Sequence, residues 1–293
     1  MTDKRMQFRT CDNKTPHARA FPPDAIPLRK ERRAPSRPRF IEGWRKVIVG
    51  PAVFPLSKTI RKPNTIQVWI APSDAVLRAE SCLRLLTGDD WRSLDRIRTP
   101  LDRDSAVAAR ILLRLGLSKA ADHRIQPMDW EFARQGQDRP RVADGLPQIH
   151  YSVSHTEQMV AVAISSAVNV GVDVESVDRE LSDTVMAAFR HREEDASTKA
   201  LPDTQNIREF IRLWTLKEAY TKMLGVGHEL DFKTLNFTLD PITLTSPCDP
   251  SGSSAHFESI YISAGHALFH VSLAMERPPD FDGDIEVQTI SLV

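Results

Sequence analysis

Apart from one short stretch, nothing in the first 62 residues is patterned to bury, so the core is expected to form mainly after them. This stretch holds eight prolines (Pro16, Pro22, Pro23, Pro27, Pro35, Pro38, Pro51, Pro55) and the basic run RKERRAPSRPR at 29–39. Its apolar residues show no helical or extended period before Phe40–Val49. Such a segment cannot bury enough apolar surface to offset its ordering entropy and reads as mostly disordered. It carries 16 Lys and Arg against 5 Asp and Glu, while the remaining 231 residues carry 23 against 34. A basic, Pro-rich arm of net charge +11 therefore precedes an acidic body of net charge −11. The arm admits three readings: nucleic-acid attachment, an organelle presequence, or a dispensable extension. Within it, Ile41, Trp44, Val47 and Ile48 could pack on the body as one short helix.

Other classes fall away on simple grounds. No run of eighteen apolar residues exists, so no membrane-spanning helix is expected. The start, MTDKRMQFRT, lacks the apolar stretch of a secretory signal. Cys11, Cys82 and Cys248 are odd in number and far apart, which suits neither a disulfide framework nor a C-x-x-C zinc site. A reducing, cytoplasmic setting is the expectation. Walker A, H-E-x-x-H and G-x-S-x-G patterns are absent.

The body alternates helical and extended patterns. IQVWIA (66–71) reads as a strand, and Ser73 or Asp74 can cap a helix over 75–86. The arginine-rich segment WRSLDRIRTPLDRD leads into an amphipathic helix over about 102–117, with Val107, Ala108, Ile111, Leu112 and Leu115 on one side. MDWEFAR (128–134) reads as a further strand. Strands IHYSVSH, MVAVAIS (159–165) and VNVGVDVE (168–175) follow, then helical stretches over about 180–200 and 206–224. The tail returns to strands at 234–239, 257–263, 267–275 and 285–292. This is an α+β order, divisible by length into halves at 63–165 and 166–293.

Three places could carry chemistry, each with a plainer alternative. In GVDVE (171–175), Asp173 and Glu175 share one face of a strand about 6.6–6.8 Å apart, within reach of a common cation. The alternative is a solvated outer face. In REFIRLWTLKEAYTKMLG (208–225), Trp214, Glu218 and Lys222 form an i, i+4, i+8 stripe beside an apolar arc, with Gly225 as C-cap. The alternative is an exposed ion pair. Ser154 and His155 end a strand and, with Arg139 upstream, could hold a phosphate; the alternative is a surface histidine.

Order and combination narrow the choice. GVDVE followed 39 residues later by WTLKEAYTK (214–222), with RP at 139–140 and SVSHT at 152–156, resembles the 4'-phosphopantetheinyl transferases over residues 66–293. The body's length resembles the monomeric type that serves nonribosomal peptide and polyketide synthases. The resemblance implies two similar α/β halves related by pseudo-twofold symmetry, with the site between them. It implies an enzyme of the holo-[acyl-carrier-protein] synthase kind. Such an enzyme moves phosphopantetheine from coenzyme A to a serine of an apo acyl or peptidyl carrier protein. By the same resemblance, Asp173, Glu175 and Glu218 hold Mg²⁺, Glu218 is the general base, and Lys222 steadies the pyrophosphate. Ser154, His155, Arg139, Arg92 and Arg96 bind the nucleotide end, with Arg98 and Arg103 as alternatives in that register. Glu193 in FRHREE stands where the family has a further glutamate. The rival reading is a non-catalytic protein that binds carrier proteins, or nucleic acid through its arm. No membrane contact is expected under either.

Overall fold

The computed structural model describes residues 47–51, 65–78, 80–133, 140–198, 201–226, 229–245, 255–276 and 285–291. The order begins with strands β1 (Val47–Pro51) and β2 (Ile66–Pro72), then helices α1 (Ser73–Arg78), α2 (Glu80–Leu83), α3 (Gly88–Leu94) and α4 (Pro100–Ala120). Strands β3 (Phe132–Ala133), β4 (Arg141–Val142), β5 (His150–His155), β6 (Met159–Ser165) and β7 (Val170–Ser176) follow. Helices α5 (Asp183–Phe189), α6 (Arg192–Thr198) and α7 (Asp203–Leu224) come next. The chain closes with β8 (Asn236–Leu239), β9 (Ile242–Thr245), β10 (Ala255–Ala264), β11 (Ala267–Glu276) and β12 (Ile285–Ser291). None of the described helices is long and apolar enough to cross a membrane.

The α+β expectation holds, and the two halves repeat one plan. In the first, β2 leads through α4 to the hairpin β5–β6, and β2 pairs antiparallel with β6. In the second, β7 leads through α7 to the hairpin β10–β11, and β7 pairs antiparallel with β11. Each half is thus strand, long helix, hairpin, with the first strand beside the last.

Alternation along the strands builds the layers. Trp69, Ala71, Val160, Val162 and Ile164 point to α4, where they meet Ala108, Ile111, Leu112 and Leu117. The opposite residues, Ile66, Val68, Ile70, Met159, Ala161 and Ala163, meet Val170, Val172, Val174, Val271 and Leu273 of the second sheet. The period of two is what lets one strand serve both cores. On the far side of the second sheet, α7 packs Phe210, Trp214, Leu216, Ala219, Tyr220 and Met223 against Phe232, Phe237, Phe257 and Ala274.

Both long helices begin or end on residues suited to it. Pro100 opens α4, and Gly225 ends α7 at φ +74°, its N–H bonded to the Thr221 and Lys222 carbonyls. Several local expectations shift. The helix expected over 75–86 is two short pieces. The stretch 128–134 is a turn plus the two-residue β3, held instead by Trp130, whose indole N–H donates to Ser118 Oγ at 2.9 Å. The helical stretch 180–200 breaks at Arg190, which turns inward to donate to the Asn206 carbonyl and side chain.

Two strands cross the sequence-drawn boundaries. β12 lies beyond residue 166 yet sits in the first sheet, parallel to β2 on one side and β1 on the other. β1 falls within the arm read as disordered, so that reading is corrected for 47–51. A β2 strand buried on both faces needs a partner along its outer edge, and β12 supplies it.

Candidate active site

The site forms where β5 of the first sheet, β7 of the second and the last turns of α7 meet. The key local feature is Gly171. A β-carbon there would overlap the Ala219 carbonyl oxygen and lie 2.5 Å from the Met223 nitrogen, so only glycine lets α7 lie this close to β7. Two residues on, Asp173 shares that face and meets Lys222, whose Nζ is 2.6 Å from Asp173 Oδ1. Ser154 Oγ reaches across from β5, donates to the same Oδ1 at 2.7 Å, and accepts from Lys222 Nζ at 3.1 Å and from the Val174 N–H at 3.3 Å. Asp173 Oδ2 is buried without a hydrogen-bond partner.

The carboxylates are electrostatically crowded. Burial first, then the Asp173 charge, pushes Glu218 up to about 7. Burial and Asp173 likewise push Glu175 up to about 7, against the pull of Arg179, which donates to Glu175 Oε2 at 2.7 Å. Burial works against the Lys222 ammonium, but Asp173 and Glu218 outweigh it and hold the lysine above its ordinary range. His155, at the exposed end of β5, is held below the usual imidazole range by desolvation among its neighbours and by Lys222.

The four residues expected at the acidic centre are electrostatic neighbours, and Glu175 is held by Arg179 as well. Asp173, Glu218 and Lys222 share one charged pocket, while Glu175 leans on Arg179. Among the described residues, no three His, Cys, Asp or Glu side chains converge tightly enough as they stand to enclose a metal. The donor set nevertheless suits a hard cation: all oxygen, one buried carboxylate oxygen unpartnered, and two glutamates whose charge burial and Asp173 disfavour.

The nucleotide-end residues are less gathered. Arg92 is exposed and paired with Asp89, and Arg96 and Arg98 are exposed. Arg103 bonds Asp95 at 2.7 Å, and Arg139 lies outside the described residues. Trp214, one turn before Glu218 in α7, serves the core and not the charged centre. It is buried edge-on against Phe189, with centroids 4.8 Å apart.

Sequence reading missed the buried partner of α7. Glu193 is exposed and accepts from Asn236 Nδ2 at 2.6 Å. The next residue, Glu194, is buried and paired with Lys217 at 2.5 Å, both side chains 1% exposed. Its two oxygens also accept from the His191 and Phe237 N–H groups, and Lys217 further donates to the Phe189 and Phe232 carbonyls. A signal existed. A carboxylate three residues after the residue preceding a helix closes back on that residue's N–H, which picks Glu194 over Glu193.

A fold of two strand–helix–hairpin halves with a carboxylate–lysine centre between them is what this chain brings to a comparison with known proteins, and the matches are to one family. A family model for the 4'-phosphopantetheinyl transferase superfamily matches residues 169–270, the span from β7 into β11 that carries Asp173, Glu175, Glu218 and Lys222. A phosphopantetheinyl transferase of Thraustochytrium sp. is 27% identical over 242 residues, covering 76% of this chain and 82% of that protein. An L-aminoadipate-semialdehyde dehydrogenase-phosphopantetheinyl transferase of Xenopus laevis is 24% identical over 239 residues, covering 72% and 77%. A 4'-phosphopantetheinyl transferase of Bacillus subtilis is 26% identical over 188 residues, covering 64% and 80%. Over the span that carries this centre, the chain is similar to the 4'-phosphopantetheinyl transferase superfamily.

Proposed function

We propose that the protein transfers 4'-phosphopantetheine from coenzyme A to a serine of an apo acyl or peptidyl carrier protein, as a monomer of the type serving nonribosomal peptide and polyketide synthases. The observation that carries this reading is the pocket of Asp173, Glu218 and Lys222, with its unpartnered carboxylate oxygen, inside the stretch matched by the family model.

In this reading Asp173, Glu175 and Glu218 are the residues that would hold Mg²⁺. Such an ion would supply charge neutralisation at the pyrophosphate. Lys222 lies against the same charge and orients it. Glu218, the carboxylate that α7 brings to the centre, takes the proton from the incoming serine hydroxyl, which is a weak nucleophile until a base acts on it. The serine oxygen bonds to the phosphorus bearing pantetheine, the pyrophosphate P–O bond breaks, and 3',5'-bisphosphoadenosine leaves with the electron pair. His155 and Arg139 contact the 3'-phosphate, with Arg92 and Arg96 along the approach. Positioning and neutralisation, more than covalent help, are what phosphoryl-type transfer needs.

Weighing an apo carrier domain after incubation with coenzyme A and Mg²⁺ tests this. A gain of one phosphopantetheine unit, abolished by Asp173→Ala, is expected. An unmodified carrier under saturating conditions would leave the protein a non-catalytic binder.

A further inference from the structure

The Ser154 hydroxyl has no hydrogen-bonding capacity left for a phosphate. A hydroxyl offers one proton and two lone pairs. The proton goes to Asp173 Oδ1 at 2.7 Å, and the lone pairs accept from Lys222 Nζ at 3.1 Å and the Val174 N–H at 3.3 Å. A phosphate oxygen only accepts, so it would have to take the proton already given to Asp173. The residue is also 7% exposed, whereas His155 beside it opens to solvent. The consequence at Asp173 is asymmetric: Oδ1 is fixed by two donors from two different elements, and Oδ2 is left buried and unpartnered.

We propose that Ser154 is a positioning residue: it clamps the Asp173 carboxylate from the opposite half, so that Oδ2 faces the metal position, and does not bind the 3'-phosphate. This rests on the transferase reading above. Ser152 provides an internal comparison, because its hydroxyl accepts the Val172 N–H at 3.0 Å, a bond that stitches the same two strands but ends on the backbone and not on the carboxylate centre.

The test uses full-length Ser154→Ala, Ser152→Ala and His155→Ala proteins. Three quantities are read: the Mg²⁺ dependence of turnover, Mg²⁺ affinity by calorimetry, and the preference for coenzyme A over dephospho-coenzyme A. Ser154→Ala is expected to weaken Mg²⁺ binding and kcat by about 10–100-fold, the usual cost of losing an outer-shell partner. Its preference for the 3'-phosphorylated substrate should match the parent's, whereas His155→Ala loses that preference. Ser152→Ala should lower thermal stability without moving Mg²⁺ affinity. Should Ser154→Ala fail to fold, Ser154→Cys keeps nearly the volume with a weak donor and should show the same pattern more mildly. Loss of the 3'-phosphate preference in the Ser154 variant overturns the proposal, as does an unchanged Mg²⁺ affinity or an equal shift in Ser152→Ala. A parent protein inactive on every carrier would instead sink the transferase reading, while the calorimetry still reports on Ser154.

Discussion

Glu175 and Glu218 each stand near pH 7 in the folded chain against an ordinary value of 4.5, because burial and Asp173 disfavour their charge. A carboxyl raised in the native state stabilises the fold fully below 4.5 and loses that contribution as pH rises toward 7. The metal-free protein should therefore lose stability across that window, by several kcal/mol in all. Thermal melts at pH 5 and pH 8 check this. The drop should shrink in Glu175→Gln, and saturating Mg²⁺ should raise Tm more at pH 8 than at pH 5. A Mg²⁺ effect equal at both pH values would mean that the ion binds elsewhere.

At the level of elements, α7 is the part on which the site depends. It is seated on β7 at Gly171 and pinned to α6 by Lys217–Glu194. Gly171→Ala must push the α7 backbone off the strand, since the clash is with main-chain atoms. We expect loss of measurable transfer and a Tm drop of several degrees, read by mass shift and melting. Lys217→Met leaves the Glu194 charge buried alone, which costs about 3–5 kcal/mol. Chemical denaturation should show that loss. Adding Glu194→Gln should recover part of it, because neighbours in one ion pair are not additive. If the two losses simply summed, the pair would be incidental.

At the scale of the whole molecule, the first sheet is completed from both distant ends of the chain. β12 is sandwiched between β1 and β2, so it is the strand whose loss would open β2. A chain starting at residue 63 should keep its transfer activity, since its acidic centre lies in 154–222. It should nonetheless melt several degrees below a chain starting at residue 45, which retains β1. Ending the chain at residue 284 should be more damaging, because it removes the partner of both strands. Scanning calorimetry of the three truncations would settle the order, and equal melting for all three would contradict the pairing.

Much of this architecture was legible along the chain because it is local. The alternation of MVAVAIS, the apolar arc of 208–224 and its Gly225 stop each follow from one stretch of backbone satisfying its own geometry. The likeness of GVDVE and WTLKEAYTK to one family marked Asp173, Glu218 and Lys222, and their shared side of strand and helix brings them together. What no local pattern held was partner choice. A free strand edge is satisfied by whichever segment the closed fold delivers, so β12 joined the first sheet and not the second. The same applies to polar groups. The local capping pattern marks Glu194, but only packing decided that its partner is Lys217, and that the Ser154 proton goes to Asp173, because a buried charge takes the donors that burial leaves within reach.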